Sequence, residues 1–285
     1  MSRPLTGSRY EFHVARKGAA ENKAAPDYFA VRPGDVEEAV DEDDVIGYVH
    51  SWEVGSTVDG PGLRFVAFLT GCPLRCQYCH NPDTWHTHNG HPVSVARSMR
   101  QIGNYAQVLK ISKGGVTISG GEPMLQRAFV MRIFRRCKQL GLHTCVDTSG
   151  RLGDRFTDEE LMDIDLNLLD IKSGDPDIYE KVTNQPLQPT LDYARRLSAL
   201  KRPIWIRFVL VPGLSDGYEN VAKVADFCAG LDSVERVEIL RFHQMGRSKW
   251  AKLGLKYPLE NVAPPDPELT ERVRGQFRSR GLKVY

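Results

Sequence analysis

Three cysteines on one short stretch of chain could hold a metal cluster. Cys72, Cys76 and Cys79 have the spacing C-x3-C-x2-C, and they follow an apolar run, Leu63–Thr70, that predicts a buried strand. Three thiolates on one loop can bind three corners of a cubane iron–sulfur cluster, whereas an electron-transfer cluster usually has four thiolate ligands. The fourth iron would then be open to bind and activate a small molecule.

A structural zinc site is the alternative interpretation of these cysteines. The three thiols together with His80 form a Cys3His set, which zinc accepts. However, His80 directly follows Cys79, a poor spacing for tetrahedral closure, and no second C-x2-C pair exists. The spacing therefore favours a cluster and leaves zinc open. The other cysteines are scattered singly among apolar residues, which predicts core packing for Cys137, Cys145 and Cys228.

Length, composition and charge set the class of protein. The chain of 285 residues is long enough for one large α/β domain or two smaller ones. The net charge of +2 argues neither for nor against a nucleic-acid partner, but no dense basic block is present, and we expect no such partner. No apolar run reaches the length of a membrane span. The clustered thiols and the lack of a secretory signal predict a reducing compartment, so we expect a cytoplasmic protein without a membrane partner.

The first part of the chain differs from the rest. Residues 1–45 are rich in Ala, Gly, Pro and charge, and the run from Asp35 to Asp44 contains seven acids and no base. Such a run repels itself and buries little apolar surface. We therefore predict a disordered acidic extension over residues 1–45 and a folded domain over residues 46–285.

A strand–helix alternation runs through the predicted domain. The strand-like runs are short, rich in Val and Ile and apolar on both faces, as parallel strands covered on both sides should be. They are Leu63–Thr70, Gly115–Ser119, His143–Asp147, Leu166–Ile171, Ile204–Val211 and Val234–Leu240. Six such units predict an α/β fold, a partial (β/α)6 TIM-like barrel with parallel strands, with a doubly wound open sheet as the alternative.

Helical patterns lie between these strands. Met124–Leu140 places apolar residues at three- and four-residue steps, and Gly141 is predicted to end that helix. Thr190 is predicted as the N-cap of a helix over Pro189–Lys201. Two further helices are predicted over residues 216–230 and from Asp266-Pro267 onward.

Polar and glycine residues follow the strands where the strands end. In a barrel of parallel strands these positions share one face, and chemistry gathers there. Each segment alone is compatible with a turn, a cap or a buried ion pair, but their common placement predicts an active site. The segments are Ser119-Gly120-Gly121-Glu122-Pro123, Asp147-Thr148-Ser149-Gly150, Asp170-Ile171-Lys172, Arg207 on the fifth strand, and His243 after the sixth.

These motifs resemble those of the radical S-adenosylmethionine (SAM) enzymes. The cysteine motif, the G-G-E-P turn and the D-I-K segment carry the resemblance to the superfamily. Further segments resemble the pyruvate formate-lyase activating enzymes, a family of glycyl-radical enzyme activases, and the similarity covers roughly residues 46–285. These segments are Thr57–Gly62, Tyr78–Trp85, Val209–Gly213, His243 and Gly246–Trp250.

The resemblance implies a set of cofactor-binding residues. Cys72, Cys76 and Cys79 would bind a [4Fe–4S] cluster, and SAM would take the open iron through its amino and carboxylate groups. The matching SAM positions are Tyr78, Cys79 and His80 for adenine and ribose, Gly120, Gly121 and Glu122 for the methionine amino end, Asp170, Ile171 and Lys172 for methionine and ribose, Arg207 for the methionine carboxylate, and His243 for the adenosyl part. The positions that match a monovalent-cation site are Asp147, Thr148 and Asp170.

The resemblance also implies a reaction and partners. One electron from a flavodoxin or ferredoxin would drive reductive cleavage of SAM to methionine and a 5′-deoxyadenosyl radical. That radical would take a hydrogen from a glycine of pyruvate formate-lyase, which serves anaerobic glucose metabolism. We expect a monomer whose docking rim for this partner includes Asp59 and the Gly60-Pro61-Gly62 turn.

The sequence departs from the family pattern in places, and two other functions remain alternatives. Ser149 stands where many relatives are expected to have asparagine, and residues 81–119 lack the extra cysteines of other activases, which favours the pyruvate formate-lyase subgroup. The histidines of the following polar segment predict a solvated loop: His86, His88 and His91. The alternatives are a radical SAM enzyme acting on a small molecule or an anaerobic ribonucleotide reductase, and a non-enzymatic zinc module.

Overall fold

An eight-stranded sheet is the centre of the computed structural model, which describes residues 45–285. The strand order across the sheet is β3-β1-β2-β4-β5-β6-β7-β8. The strands are β1 (Ile46–Ser56), β2 (Arg64–Leu69), β3 (His91–Ser94), β4 (Gly115–Gly120), β5 (His143–Thr148), β6 (Leu166–Asp170), β7 (Ile204–Leu210) and β8 (Val234–Arg241).

The six predicted parallel strands are confirmed. Strands β2, β4, β5, β6, β7 and β8 pair in that order, each parallel to the next. The sheet does not close into a full barrel, and its parallel strands follow one another in chain order without the reversal of a doubly wound sheet, so the predicted partial barrel is the correct alternative. At the outer edge of β8 the end of the chain adds a short parallel bridge between Val237 and Val284.

Two antiparallel strands were not predicted. Strand β1 pairs with β2 on one side and β3 on the other. Most side chains of β1 are exposed or half-buried, so it lacks the buried apolar run by which the other strands were found. His91 is the first residue of β3 and pairs with Val49, and the His88 ring packs edge-on against Tyr48. This segment is therefore partly a strand and not only the predicted solvated loop.

The helices cover the sheet and fix the positions of its loops. They are α1 (Val95–Gly103), α2 (Ala106–Ile111), α3 (Arg127–Gln139), α4 (Asp158–Met162), α5 (Pro176–Thr183), α6 (Gln188–Ala199), α7 (Tyr218–Ala229), α8 (Arg247–Lys252) and α9 (Pro267–Arg278). Gly141, with a φ of 69°, follows α3 as predicted, and the Asp266 side chain caps α9 by accepting from the Leu269 amide.

One predicted cap is wrong. Helix α6 begins two residues before Thr190, and the hydroxyl of Thr190 donates to the Ser149 carbonyl at 2.8 Å. Thr190 also contacts the Tyr179 hydroxyl at 2.9 Å. Its side chain therefore joins α6 to the loop after β5 and to α5, which the local sequence could not reveal.

Two predictions concern the limits of the described chain. The predicted acidic extension, residues 1–45, lies outside the described residues except for Val45. All of the predicted domain, residues 46–285, is described. Among residues 45–285, no helix combines the length and apolar character that crossing a membrane requires.

Candidate active site

A cavity of about 420 Å³ lies at the carboxyl ends of the parallel strands. The three clustered cysteines and residues from the ends of all six strands line it. Most of the predicted site residues therefore meet, as the parallel topology requires. Those in the lining are Cys72, Cys76, Tyr78, Cys79, His80, Gly120, Gly121, Asp147, Thr148, Asp170, Lys172, Arg207 and His243.

The loop that carries the cysteines is anchored on both sides. Its first residue, Gly71, has a φ of 91° and donates its amide to the Thr84 carbonyl at 2.7 Å. A Cβ on Gly121 would lie 2.3 Å from the Gly71 carbonyl oxygen, so only glycine lets the two loops approach this closely. On the other side, the Arg75 amide donates to the Thr183 carbonyl at the end of α5. The three thiols are thus held in fixed positions.

Burial disfavours the ionised form of all three thiols. It raises the pKa of Cys76 to about 12, although the Lys172 ammonium opposes the shift. Burial also raises the pKa of Cys72 and of Cys79. Thiolates at these positions therefore need a strong positive charge in contact with them, which iron supplies. The donor set and its surroundings fit a metal cluster.

His80 stands apart from the three thiols in the lining. Its ring stacks on His243 with 4.3 Å between centroids, and burial together with His243 lowers the pKa of His80. No group of three or more His, Cys, Asp or Glu side chains in residues 45–285 is arranged around a single metal position. Ligands of a cubane bind separate irons and need not converge on one point. The arrangement thus matches a cluster better than the zinc alternative.

Two polar atoms in the cavity wall need a ligand. The Tyr78 hydroxyl and Nδ1 of His243 are buried, and neither has a hydrogen-bond partner among the described residues. A buried polar atom without a partner costs about 1–3 kcal/mol, so native structures rarely leave one unpaired. A ligand with hydroxyl, amino or ring-nitrogen groups would supply partners, as the adenosyl part of SAM does.

A buried cation lies beside the cysteines. Nζ of Lys172 pairs with the Asp170 carboxylate at 2.9 Å and lies 5.7 Å from the ring centre of Tyr78. Burial lowers the pKa of Lys172, but Asp170 and the neighbouring acidic groups together raise it by more, so the pKa lies well above its usual value. The lysine therefore stays charged and places one positive group next to the thiols.

The centre of the cavity floor carries a surplus of negative charge. Arg207 pairs with Asp147 at 3.2 Å, with Glu238 at 3.3 Å and with Asp59 at 3.5 Å. Burial lowers the pKa of Arg207, but Asp147 and the other carboxylates raise it further, so the guanidinium stays charged. Glu238 also pairs with Arg236, so two cations face three carboxylates, and the remaining negative charge suits a cationic ligand. The predicted pairing of Arg207 with the methionine carboxylate therefore has to compete with these three acids.

Glu122 does not face the cavity, contrary to the expectation that it offers a carboxylate to a cationic group. Its Oε1 accepts from the Thr148 hydroxyl at 2.7 Å and from the Met124 amide at 3.2 Å. Its Oε2 accepts from the amide and the hydroxyl of Ser149, at 3.0 and 2.5 Å. The carboxylate is saturated and joins the loops after β4 and β5. Ile171 is also buried outside the cavity lining.

The Gly60-Pro61-Gly62 turn is not part of a docking rim at the cysteine end. Gly62 has a φ of 65°, and a Cβ there would lie 2.4 Å from the Ser112 carbonyl, just before β4. The turn directly precedes β2, so it must lie at the amino end of that strand, opposite the cysteine loop. Only the Asp59 carboxylate reaches the inner end of the cavity, where Ser56 donates to it at 2.5 Å.

Two tryptophans support the cysteine loop from outside and were not predicted as site residues. Nε1 of Trp250 donates to the Cys79 carbonyl at 2.8 Å, and the Trp85 ring packs edge-on against it at 5.2 Å. Lys249 reaches the Asn81 side chain at 2.8 Å. The sequence offers only a weak signal for this role, the dense aromatic and basic content of Arg247–Tyr257.

Fold and site together define a radical SAM enzyme, and comparison with known proteins agrees. The family model described as the Radical SAM superfamily matches residues 66–227. A crystal structure of a radical SAM methyltransferase from Sphaerobacter thermophilus has a TM-score of 0.59 and 16% identity, covering 84% of this chain and 76% of that chain. This likeness concerns the fold alone.

Curated relatives identify the family within the radical SAM superfamily. A pyruvate formate-lyase-activating enzyme of Staphylococcus epidermidis is 49% identical over 78% of this chain and 91% of its own length. The pyruvate formate-lyase 1-activating enzyme of Escherichia coli K12 is 43% identical over 84% of this chain and 98% of its own length. The chain belongs to the family of pyruvate formate-lyase-activating enzymes, which use a [4Fe–4S] cluster and SAM.

Proposed function

We propose that this protein activates a pyruvate formate-lyase by generating a glycyl radical on it. The observation that carries the proposal is the single cavity that combines three fixed thiols with unpartnered polar atoms and charges of both signs. A cluster and SAM are adjacent in this reaction, and this cavity offers room and ligands for both. The names of the relatives supply the partner enzyme.

Each cofactor is bound by its own set of residues. Cys72, Cys76 and Cys79 hold the cluster through their thiolates. Tyr78 and His243 give their unpartnered atoms to the adenosyl part of SAM, and His80 stacks beside it. The remaining SAM contacts come from the glycine turn and the strand ends: Gly120, Gly121, Asp170, Lys172 and Arg207.

The chain's own residues orient the reactants and control charge. When bound, the cluster supplies the electron for reductive cleavage of SAM, which yields methionine and a 5′-deoxyadenosyl radical. Lys172 balances the negative charge near the thiolates, while the acids around Arg207 balance the sulfonium. Those acids also support a monovalent cation at Asp147 and Asp170, with Thr148 as a further oxygen ligand.

The partners and context extend the proposal. The glycyl-radical partner is a pyruvate formate-lyase, which presents a glycine-bearing loop to the cavity. The electron donor is a flavodoxin or ferredoxin, and the protein acts as a cytoplasmic monomer. Residues 46–285 form the catalytic domain.

One anaerobic experiment tests the function. The protein is reconstituted with iron and sulfide, reduced, supplied with SAM, and followed by EPR with and without a pyruvate formate-lyase. A glycyl-radical doublet that needs every component is the expected result. Formation of 5′-deoxyadenosine without a glycyl radical would retain the SAM chemistry and reject this partner. Zinc binding without any cluster signal would reject the enzyme altogether.

A further inference from the structure

The cluster must receive electrons from outside, so some surface next to the cysteine loop has to accept a donor. The three cysteine residues are half-buried and line the cavity, and the loop that carries them reaches the protein surface at His80, which is exposed. Electron-transfer complexes are transient and bury little area, so charge and a few apolar contacts define their docking sites. Exposed charge of one sign on a segment in contact with the cysteine loop would mark such a site.

One segment is directly attached to the cysteine loop on its outer side. Helix α8 holds Trp250, whose Nε1 donates to the Cys79 carbonyl at 2.8 Å. Gly246 lies so close that a Cβ on it would be 2.7 Å from the His80 Cα. Lys249 pairs with Asp83 at 2.9 Å, beyond the last cysteine. These contacts fix α8 and its flanking turns to the loop that carries the thiols.

The solvent-facing side of this segment is basic. Between Gln244 and Leu259 the chain carries four basic residues and no acidic one. Arg247 pairs with Glu260, which cancels its charge, and Lys249 pairs with Asp83, so Lys252 and Lys256 give this surface its net positive charge. Lys252 and Lys256 are exposed, and no carboxylate among residues 45–285 lies within ion-pair distance of either.

Apolar side chains accompany these cations on the surface. Met245 is 80% exposed, Leu253 43% and Leu255 38%. Large apolar side chains are costly to leave in water, and methionine adapts well to the surface of a transient partner. We name these three residues together with Arg247, Lys252 and Lys256 the basic docking surface.

We propose that the basic docking surface binds an acidic one-electron donor protein that reduces the cluster. The inference rests on the proposed function, because only an enzyme with a redox cluster needs such a donor. Opposite charges steer the two proteins together and raise the association rate. The apolar side chains then hold the complex, while Trp250 and Trp85 keep the surface at a fixed, short separation from Cys79.

The test compares two double charge reversals in the reconstituted full-length protein. Lys252→Glu with Lys256→Glu reverses the docking surface. Lys110→Glu with Lys113→Glu is the matched control, because both lysines are exposed just before β4, at the amino end of the sheet. Lys252→Arg with Lys256→Arg keeps the charge and should behave as wild type.

The comparison of two reductants distinguishes a loss of docking from a defect in the cluster itself. Cluster reduction is followed by visible absorbance with reduced flavodoxin, an acidic protein, and with photoreduced deazariboflavin, a small neutral reductant. For the docking-surface reversal we expect the flavodoxin rate constant at low salt to fall about tenfold or more and to lose most of its salt dependence. The deazariboflavin rate should be unchanged, and titration calorimetry should show weaker binding of oxidised flavodoxin.

Several outcomes would overturn the proposal. They are an equal loss with both reductants, an equal effect of the control reversal, an unchanged flavodoxin rate, or a wild-type protein that flavodoxin neither binds nor reduces. An equal loss in activation of pyruvate formate-lyase under both reductants would instead assign the surface to that partner. Normal reduction without a glycyl radical would reject the proposed function and leave the docking result valid.

Discussion

Arg64 at the amino end of the parallel sheet and the cavity residues at its carboxyl end differ in how completely their buried polar atoms are paired. At the amino end, the guanidinium of Arg64 is fully buried and each of its nitrogens has an acceptor. Nε donates to the Thr117 hydroxyl at 2.9 Å, Nη2 to the Val116 carbonyl at 2.7 Å, and Nη1 contacts Nδ1 of His143 at 3.2 Å. The fork also reaches the Pro61 carbonyl, so it holds the turn before β2 against β4 and β5.

At the carboxyl end, some buried polar groups lack a hydrogen-bond partner, and the carboxylates outnumber the cations that pair with them. The Tyr78 hydroxyl and Nδ1 of His243 have none among the described residues, and Arg207 faces three carboxylates. Glu122 lies near this end but belongs to the other group, because four donors saturate it. Arg64 and Glu122, whose buried polar atoms are saturated, stabilise the fold, whereas Tyr78 and His243 each have an unpaired atom in the cavity wall. Substitutions should therefore separate stability from cofactor binding.

The largest effect on function is expected at the thiols. Cys76→Ser should eliminate the cluster and the activity, because a serine hydroxyl is a poor ligand for iron, and should change the unfolding free energy of the cluster-free protein by less than about 1 kcal/mol. Iron and sulfide content, visible absorbance and urea unfolding measure both quantities. Cys228→Ala, in the core of α7, is the control that should retain the cluster. A full cluster in the Cys76 variant would contradict the assignment.

The largest effect on stability is expected at Arg64. Arg64→Met leaves carbonyl and hydroxyl acceptors unpaired in the interior, which should reduce the unfolding free energy by about 3 kcal/mol. Urea unfolding of the cluster-free protein gives the value. Arg64→Lys keeps the charge but lacks the fork, so it should recover only part of the loss. The comparison of the two sheet ends fails if the methionine variant unfolds at the same urea concentration as wild type.

Glu122 and Asp170 form the next contrast. Glu122→Gln places an amide NH2 against donors and should cost about 1–3 kcal/mol of stability, with SAM affinity nearly unchanged. Asp170→Asn should weaken SAM binding, because Asp170 lines the cavity, and should also reduce stability, because it removes the ion-pair partner of the buried Lys172. Urea unfolding and SAM titration of the reconstituted enzyme measure the pair. If the Glu122 variant instead lost SAM binding at unchanged stability, Glu122 would belong to the ligand site after all.

The sequence predicted the parallel strands and the polar segments that follow them, because each strand is a buried apolar run followed by a turn. It did not reveal β1, whose side chains are largely exposed or half-buried. It also placed Glu122 correctly at the carboxyl edge of the sheet, but the Glu122 carboxylate does not face the cavity as predicted. Gly120 turns the chain with a φ of 112°, and Pro123 starts a short 3-10 helix, so the carboxylate points beneath the loop. Sequence spacing gives a residue's place along the edge, not the direction of its side chain.

A buried arginine was also beyond sequence reasoning. Arg64 opens an apolar strand, and its partners come from β4 and β5, which are remote in the chain. By contrast, the place of the Gly60-Pro61-Gly62 turn could have been deduced. A segment that directly precedes a strand lies at that strand's amino end, whereas the active site of a parallel barrel lies at the carboxyl ends. Topology was sufficient there, and the resemblance to relatives led to the wrong end.

The smallest predicted effect concerns acid and the amino end of the sheet. Burial lowers the pKa of His143 to about 4, and the neighbouring Arg64 contributes. Since a guanidinium only donates, Nδ1 of His143 must accept and the ring must be neutral in the folded state. A pKa lowered by folding gives stability that is present above pH 6.5 and is lost as the pH falls through about 4. The half-buried position limits the loss to about 1 kcal/mol through solvent screening.

His143→Gln isolates this contribution, because the amide oxygen can still accept from Arg64 but does not titrate. We expect urea unfolding between pH 7 and pH 4 to show a flatter pH dependence in this variant than in wild type. Below that range both proteins should lose stability together, because the hydrogen bonds from Lys138 and the Thr144 amide lower the pKa of Asp165 against the opposing effect of burial. Equal slopes from pH 7 to pH 4 would show that the Arg64–His143 contact does not link acid to the amino end of the sheet.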